Sequence, residues 1–259
     1  MTHPPAPSTA GLPPPPILRY GQVAPMPAGV ERNQWPSTPP EEFAQQMGWL
    51  REAGYTALAM RDLEPYLRGE RSGRVVGLAV DAAVSATEHV LPVLRKHGFT
   101  ATGFAVSARL GETWDGNRGG PPYPMMDARQ LRDWVAAGQE VGAHSRHHVD
   151  LRTLDEWSAW SEIAGCKDDL ECAVGLPVRH YCYPFGRVAP VLAAMARAAG
   201  YATAATVVPH RPGRAHDLFA LPMLAVGSTP APAAVWLRLT LGIEAAEGGA
   251  TAPAPPATR

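Results

Sequence analysis

Cysteine is scarce in this chain, which has three in 259 residues: Cys166, Cys172 and Cys182. An odd and sparse set does not form the disulfide framework of a small secreted domain, so we expect three reduced thiols. A chain of this length buries a core large enough to fold without such links. Cys182 lies close to His180 in the sequence, but interior cysteines are usually inert, and we expect Cys182 to be a packing residue.

The chain also lacks an excess of charge of one sign, since 23 Lys and Arg residues balance 24 Asp and Glu residues. The absence of a basic block argues against a nucleic-acid partner. The absence of a run of about 18 apolar residues argues against a membrane span. No secretion signal is recognisable in the first residues, and no glycine-rich phosphate loop follows a strand. These absences predict a soluble, cytoplasmic protein.

Proline is concentrated at the two ends of the chain. Residues 1–15 and 244–259 contain mostly proline and small residues, and we expect both segments to be disordered. Residues 16–243 are expected to form one domain. Strand-like and helix-like segments alternate there, which predicts an α/β fold with a parallel sheet, either doubly wound or closed into a barrel.

Three helices have features that the structure can test. Ser85, with Glu88 three residues later, predicts a capping box in "SATEHVLPVLRKHG", and Asp127 predicts a cap for "DARQLRDWVAAG". Trp157 and Trp160 are three residues apart on a long predicted helix, which favours a buried packing face over a sugar-binding platform. A last helix is predicted in "PAAVWLRLTLG".

The densest chemistry lies in "GAHSRHHVDL", residues 142–151, which holds three of the nine histidines. His144 and His148 are four residues apart, and on a helical turn two imidazoles at this spacing can bind one cation. Ser145 between them can orient a ring, and imidazole favours zinc, cobalt or nickel. Such a pair alone is more often a surface feature than a metal site, and His147 is expected to be a solvated loop residue.

A carboxylate at the end of a neighbouring parallel strand would strengthen the case for a metal. The run "RVVGLAVDAA" predicts a buried strand that ends at Asp81. Because side chains at the carboxyl ends of parallel strands gather at one edge of a sheet, Asp81 is the best-placed carboxylate. A helix cap or a surface position is the alternative interpretation of Asp81.

Taken in order, the motifs resemble those of the polysaccharide deacetylase family, the NodB-homology domain of carbohydrate esterase family 4. The similarity runs from about Pro16 to Val226. "LAVDAAVSATEHVLPVLRKHGFTATGFAV" is similar to the family's Thr-Phe-Asp-Asp-Gly motif with its following helix and strand. "MMDARQLRDWVAAGQEVGAHSRHHVDLRTL" resembles the histidine motif, and "VRHYCYPFGR" resembles the third motif. The resemblance implies a distorted (β/α) barrel of about seven parallel strands.

The resemblance also implies an activity, namely metal-dependent removal of an N-acetyl or similar acyl group from a carbohydrate or a related small amide. Asp81 matches the general base, Arg179 the residue that orients it, and His144 and His148 the ligands of a divalent metal, most simply zinc. The wall of the substrate groove is matched by Tyr183, Pro184, Phe185 and Gly186. A backbone N–H near Tyr183 is expected to help bind the oxyanion.

The chain departs from the family at three positions of the implied machinery. Ala82 stands where the family has its second Asp, a metal ligand, and Met223 stands where a basic residue is usual. No late Leu-x-His motif supplies the general acid, and His210 and His216 do not have the expected apolar context. The alternative function is therefore a catalytically impaired, deacetylase-like protein that binds a glycan or another ligand without turnover.

The missing carboxylate leaves several ways to complete a metal site. Asp81 could itself bind the metal, His147 could serve as a third ligand, or Asp150 could reach in. We favour His147 among these. A pocket that binds no metal and only recognises a ligand is the remaining possibility.

Overall fold

In a computed structural model, which describes residues 14–26, 37–114, 122–206 and 217–226, seven parallel strands form a closed ring with helices outside it. β1 pairs with both β10 and β3, which closes the sheet, so the predicted barrel is confirmed and the doubly wound alternative is wrong. In order around the ring, the strands are β1 (Ile17–Tyr20), β10 (Leu221–Val226), β9 (Thr203–Thr206), β8 (His180–Cys182), β7 (Glu140–Ala143), β4 (Thr102–Ala105) and β3 (Val75–Asp81).

Among the described residues, three further strands and six α-helices surround this ring. β2 (Thr56–Leu58) pairs with the first residues of β3, and β5 (Thr113–Trp114) and β6 (Tyr123–Pro124) form a separate antiparallel pair. The described helices are α1 (Pro40–Glu52), α2 (Met60–Leu67), α3 (Leu91–His97), α4 (Ala128–Ala136), α5 (Glu156–Val174) and α6 (Pro190–Ala198). None of the described helices is long and apolar enough to cross a membrane.

The two faces of the strands have different partners. Residues that alternate along the ring strands form one apolar cluster with Met60 and Leu63 of α2, and the residues between them pack with the outer helices. Since side chains alternate along a strand, residues two apart lie on the same face. Arg19 lies two residues after the inner residue Ile17 on β1, and Asp81 lies two residues after the inner residue Ala79 on β3. Both Arg19 and Asp81 are therefore on the inner face, at the carboxyl end of the barrel.

The start of α3 differs from the sequence prediction. Asp127 caps α4 in a capping box, as predicted, but Ser85 is itself helical and makes no capping hydrogen bond. The chain forms a wide π-helical turn over Ala86–Val90 before α3. Pro92 explains this, because a proline has no N–H to donate and its ring obstructs the carbonyl one turn earlier. The predicted capping box at Ser85 is wrong.

The tryptophans of α5 are also placed differently from the prediction. Trp157 is 78% exposed and Trp160 is 39% exposed, so the prediction of a buried packing face is wrong. The buried face of α5 includes Ala159, Ile163 and Cys166, which have helical spacing but lie on another side of the helix. The sequence thus predicted the helix correctly but assigned its buried face to the wrong side.

The three cysteines are free thiols, and Cys166 and Cys182 are buried. Burial raises the pKa of the Cys182 thiol to about 12, so it remains protonated near neutral pH, in agreement with a packing role.

Some predicted features lie outside the described residues. These are the last helix, His210, His216, the C-terminal tail and residues 1–13 of the N-terminal segment.

Candidate active site

A cavity lies at the carboxyl ends of the barrel strands, where barrels of this kind carry their chemistry. It brings together three residues that the sequence analysis singled out, Asp81, His144 and His148. The full lining among the described residues is Arg19, Asp81, Phe104, Val106, Trp114, Tyr123, Met125, His144 and His148.

The two histidines of the cavity form a close pair. Their ring centroids are 4.7 Å apart, and each residue is 5% exposed. His144 follows β7, and its Nδ1 lies 2.7 Å from the carbonyl oxygen of Cys182 on β8. In a neutral ring the Nδ1–H donates to this carbonyl, which leaves the lone pair on Nε2 for a ligand.

The turn that pairs these histidines is not helical, contrary to the sequence argument. Ser145 has φ 63° and His148 has φ 55°, both in the left-handed region that residues other than glycine adopt rarely. Ser145 Oγ accepts a hydrogen bond from the His148 backbone N–H at 2.9 Å. Ser145 therefore fixes the backbone of the turn. Such backbone strain is typical of functional sites.

Asp81 forms an ion pair with Arg19 of β1, a residue that the sequence analysis missed. Arg19 Nη2 lies 2.9 Å from Asp81 Oδ1, and the two side chains are 14% and 13% exposed. Burial lowers the pKa of Arg19, but the combined upward influences, of which Asp81 is the largest, outweigh it and the net shift is upward. The one signal in the sequence is a single charged residue within the otherwise apolar strand "ILRY".

Arg179 does not contact Asp81, so its assignment as the residue that orients the base is wrong. Arg179 immediately precedes β8, at the amino end of the barrel, whereas Asp81 ends β3 at the carboxyl end. Its Nη2 lies 3.1 Å from Glu64 Oε2 on α2. Arg19 occupies the place beside Asp81 that the resemblance gave to Arg179.

His147 and Asp150, the two nearby candidates for a third metal ligand, are held elsewhere. Glu162 of α5 accepts a hydrogen bond from the His147 backbone N–H and lies 2.5 Å from its Nδ1. Asp150 binds Arg152 and Arg187, whose hydrogen bonds lower the pKa of the Asp150 carboxyl. Neither residue lines the cavity, so the structure does not bear out either candidate.

Of the four residues assigned to the groove wall, Phe185 alone is exposed. Its ring centroid lies 4.6 Å from that of His148, and it is 44% exposed. Tyr183 is fully buried, its hydroxyl donates to the Phe219 carbonyl, and its backbone N–H donates to Ala205. The backbone N–H of Tyr183 is thus occupied within the fold, and Pro184 and Gly186 are buried. Tyr183, Pro184 and Gly186 are therefore buried residues of the fold and not an exposed groove wall.

The donor set supplies two ligand positions for a divalent cation. The adjacent imidazoles of His144 and His148 would hold such a cation, because imidazole nitrogen is a common zinc ligand. Among the described residues, however, no group of three or more His, Cys, Asp or Glu side chains could hold a metal. Ala82 belongs to the apolar core that contains Trp134 and does not line the cavity. We therefore expect weaker metal binding than at a three-ligand site.

Comparison with known proteins agrees with the fold. The family model described as polysaccharide deacetylase matches residues 68–204, more than half of the chain. YxkH of Bacillus subtilis (strain 168), assigned as a polysaccharide deacetylase, is 24% identical over 186 residues, which are 71% of this chain and 63% of YxkH. The chain thus spans less than two thirds of that relative.

Two solved structures share the fold over most of both chains. The deacetylase PplD of Streptococcus pyogenes, solved in complex with acetate, aligns with a TM-score of 0.77 at 20% identity and covers 90% of this chain and 99% of PplD. IcaB from Ammonifex degensii aligns with a TM-score of 0.68 at 25% identity, covering 89% and 95% of the two chains.

Proposed function

The chain belongs to the polysaccharide deacetylase family, and we propose that it is a hydrolase that removes an N-acetyl or similar acyl group from a carbohydrate or a related small amide. One observation carries this proposal: Asp81, His144 and His148, which are distant in sequence, line one cavity at the carboxyl end of the barrel. This is the end at which barrel enzymes bind and transform their substrates.

Asp81 acts as the general base in this proposal. The adjacent Arg19 guanidinium favours the ionised form of a carboxyl group. An ionised carboxylate in a cavity can remove a proton from a water molecule that attacks the acyl carbon. Arg19 also fixes the orientation of Asp81, because its Nη2 donates a hydrogen bond to Oδ1.

His144 and His148 would hold a divalent cation, which we expect to be zinc, with cobalt or nickel as substitutes. When bound there, such a cation polarises the acyl carbonyl and lowers the pKa of bound water. The Cys182 carbonyl holds His144 in the tautomer that leaves Nε2 available. Phe104 contributes an apolar wall to the same cavity.

Aromatic side chains beside His148 support a sugar as the substrate. Phe185 is exposed next to His148, and the Trp114 ring centroid lies 5.0 Å from that of His148. Exposed aromatic faces beside polar groups suit a pyranose ring, which has an apolar face and a polar edge. The acyl group would then enter the cavity, with the sugar ring against Phe185 or Trp114.

Acetate release tests the proposal directly. The chain should be freed of metal with a chelator, loaded with zinc, and incubated with oligomers of N-acetylglucosamine and with an O-acetylated sugar. We expect zinc-dependent release of acetate and the appearance of free amines on the N-acetylated oligomers. Failure to release acetate from any N- or O-acetylated sugar, with zinc bound, would contradict the proposal.

A second candidate function is ligand binding without turnover, favoured by the lack of a three-ligand metal group among the described residues. Calorimetry with the same oligomers separates the two candidates. Saturable binding to the zinc-loaded chain without acetate release would support the second. Binding with release, both lost after chelation, would support the hydrolase.

A further inference from the structure

Hydrolysis of an amide requires a proton for the leaving nitrogen, because an amine anion is a very poor leaving group. Asp81 is the proposed acceptor of the proton from water, so another group has to donate. The described residues include no late histidine at the cavity. The residues around the cavity therefore decide which group can serve as the acid.

We propose that the hydroxyl group of Tyr123 donates this proton. The assignment rests on the hydrolase function proposed above. Within the described lining of the cavity, Tyr123 carries the one hydroxyl group. Phe104, Val106 and Met125 have no transferable proton, the indole N–H of Trp114 is far too weak an acid, and His144 and His148 form the cation-binding pair.

The backbone holds Tyr123 over the end of the strand that carries Asp81. Tyr123 lies in β6 and pairs with Trp114 of β5. Just after it, Met125 bridges to Ala83, and the Met126 backbone N–H donates to the Ala82 carbonyl at 3.0 Å. These contacts join the hairpin to the two residues that follow Asp81. Tyr123 is therefore placed by regular pairing and not by an isolated loop.

Arg19 provides electrostatic support for the donation. Arg19 and Tyr123 line the same cavity, and, after burial and Asp81, Tyr123 has a smaller upward influence on the pKa of Arg19. A nearby cation stabilises the phenolate that remains after the proton leaves. The same guanidinium thus shares the cavity with both the base and the acid.

The proton balance closes over one cycle. Asp81 removes a proton as the water oxygen bonds to the acyl carbon, and the C–N bond then breaks with the electron pair going to nitrogen. The Tyr123 hydroxyl proton passes to that nitrogen. The proton held by Asp81 then returns to the Tyr123 phenolate through solvent, which restores both groups and leaves a carboxylic acid and an amine.

The test compares two leaving groups in Tyr123→Phe. An N-acetylated sugar needs the acid, whereas 4-nitrophenyl acetate does not, because 4-nitrophenolate leaves without a proton. We expect Tyr123→Phe to lose about 100-fold or more in kcat on the amide, the size usual for a general acid, with little change on the ester.

Matched variants make the result specific. Tyr66→Phe, in α2 at the other end of the barrel, and the variants His210→Asn and His216→Asn should keep wild-type rates on both substrates. Equal losses of Tyr123→Phe on amide and ester would show a structural role and overturn the proposal. So would full amide activity in Tyr123→Phe, or a selective amide loss in either histidine variant. A wild-type chain inactive on both substrates would instead overturn the hydrolase function and this assignment together.

Discussion

The two ends of the barrel contain the same types of residue but in different environments. At the carboxyl end, Asp81, Arg19 and the histidine pair line a cavity. At the amino end, Glu140 and His180 form a second cluster, in which His180 Nε2 lies 3.4 Å from Glu140 Oε1. Both ends therefore combine a carboxylate with a histidine, but the groups at the amino end are enclosed and bound to neighbouring strands and to α2.

The amino-end cluster serves to attach α2 to the barrel. Glu140 Oε2 accepts hydrogen bonds from the Thr102 hydroxyl and from the Arg61 backbone N–H of α2. His180 is fully buried, and its Nδ1 lies 2.9 Å from Thr203 Oγ1. Acid, base and imidazole groups therefore form a candidate site only where a cavity gives a substrate access to them. Four predictions test this difference.

Loss of the carboxylate at the carboxyl end should have the largest effect on activity. We expect Asp81→Asn to reduce kcat/KM for acetate release by about 10²- to 10⁴-fold, the range for removal of a general base. Steady-state acetate assays at saturating zinc would measure it. Asp150→Asn is the control, because Asp150 is bound to Arg152 and Arg187 outside the cavity. Comparable losses in both variants would contradict the assignment.

The two arginines provide the next largest contrast. Arg19→Gln should lower kcat by about 10- to 100-fold, since a hydrogen bond to a charged group contributes about 1.5–3 kcal/mol. Arg179→Gln removes a contact with Glu64 at the opposite end and should leave kcat within about twofold of wild type, because a surface ion pair contributes little. If Arg179→Gln were the more damaging change, the role assigned to Arg19 would be wrong.

At the amino end, substitution should affect stability and leave chemistry intact. Glu140→Leu removes the acceptor for Thr102 and Arg61, and we expect a loss of about 1–3 kcal/mol in the free energy of unfolding. Urea unfolding would measure this loss, and kcat per folded chain should be unchanged. Glu70→Leu, at an exposed position, should change stability by less than about 0.5 kcal/mol. A large fall in kcat for Glu140→Leu would remove the distinction between the ends.

The smallest expected effect is a pH dependence of stability from His180. Burial lowers the pKa of folded His180 below its usual 6.5, outweighing the opposite influence of Glu140. As the pH falls below about 6.5, the unfolded chain binds a proton that the folded chain excludes, so stability decreases toward acid. Urea unfolding near neutral pH and at mildly acidic pH would show the slope. His180→Gln should flatten it, and an unchanged slope in that variant would exclude His180 as the cause.

The sequence predicted those residues of the site that local patterns and ordered motifs specify. The alternation of strands and helices predicted the parallel sheet. Asp81 is the last residue of β3, and His144 directly follows β7. Arg19 was missed because its proximity to Asp81 depends on the closure of β1 onto β3, across 62 residues of sequence. Such long-range pairing leaves no local pattern.

Other details depended on orientation, which a motif does not specify. Tyr183 and Phe185 are two residues apart in one motif, yet the first is buried and the second is exposed. Phe185 has φ 57°, and its ring lies beside that of His148. α2 was not predicted, because Pro65 lies inside it and proline usually ends a helical pattern.

Zinc binding tests the central claim, that the imidazole pair at the carboxyl end is a cation site although Ala82 replaces a ligand. Isothermal titration of the metal-free chain, with His144→Ala and His147→Ala alongside, gives the stoichiometry for each. We expect about one zinc per chain for the wild type and for His147→Ala, and none for His144→Ala, because two imidazoles bind the ion. No binding by the wild type, or retained binding by His144→Ala, would contradict the account.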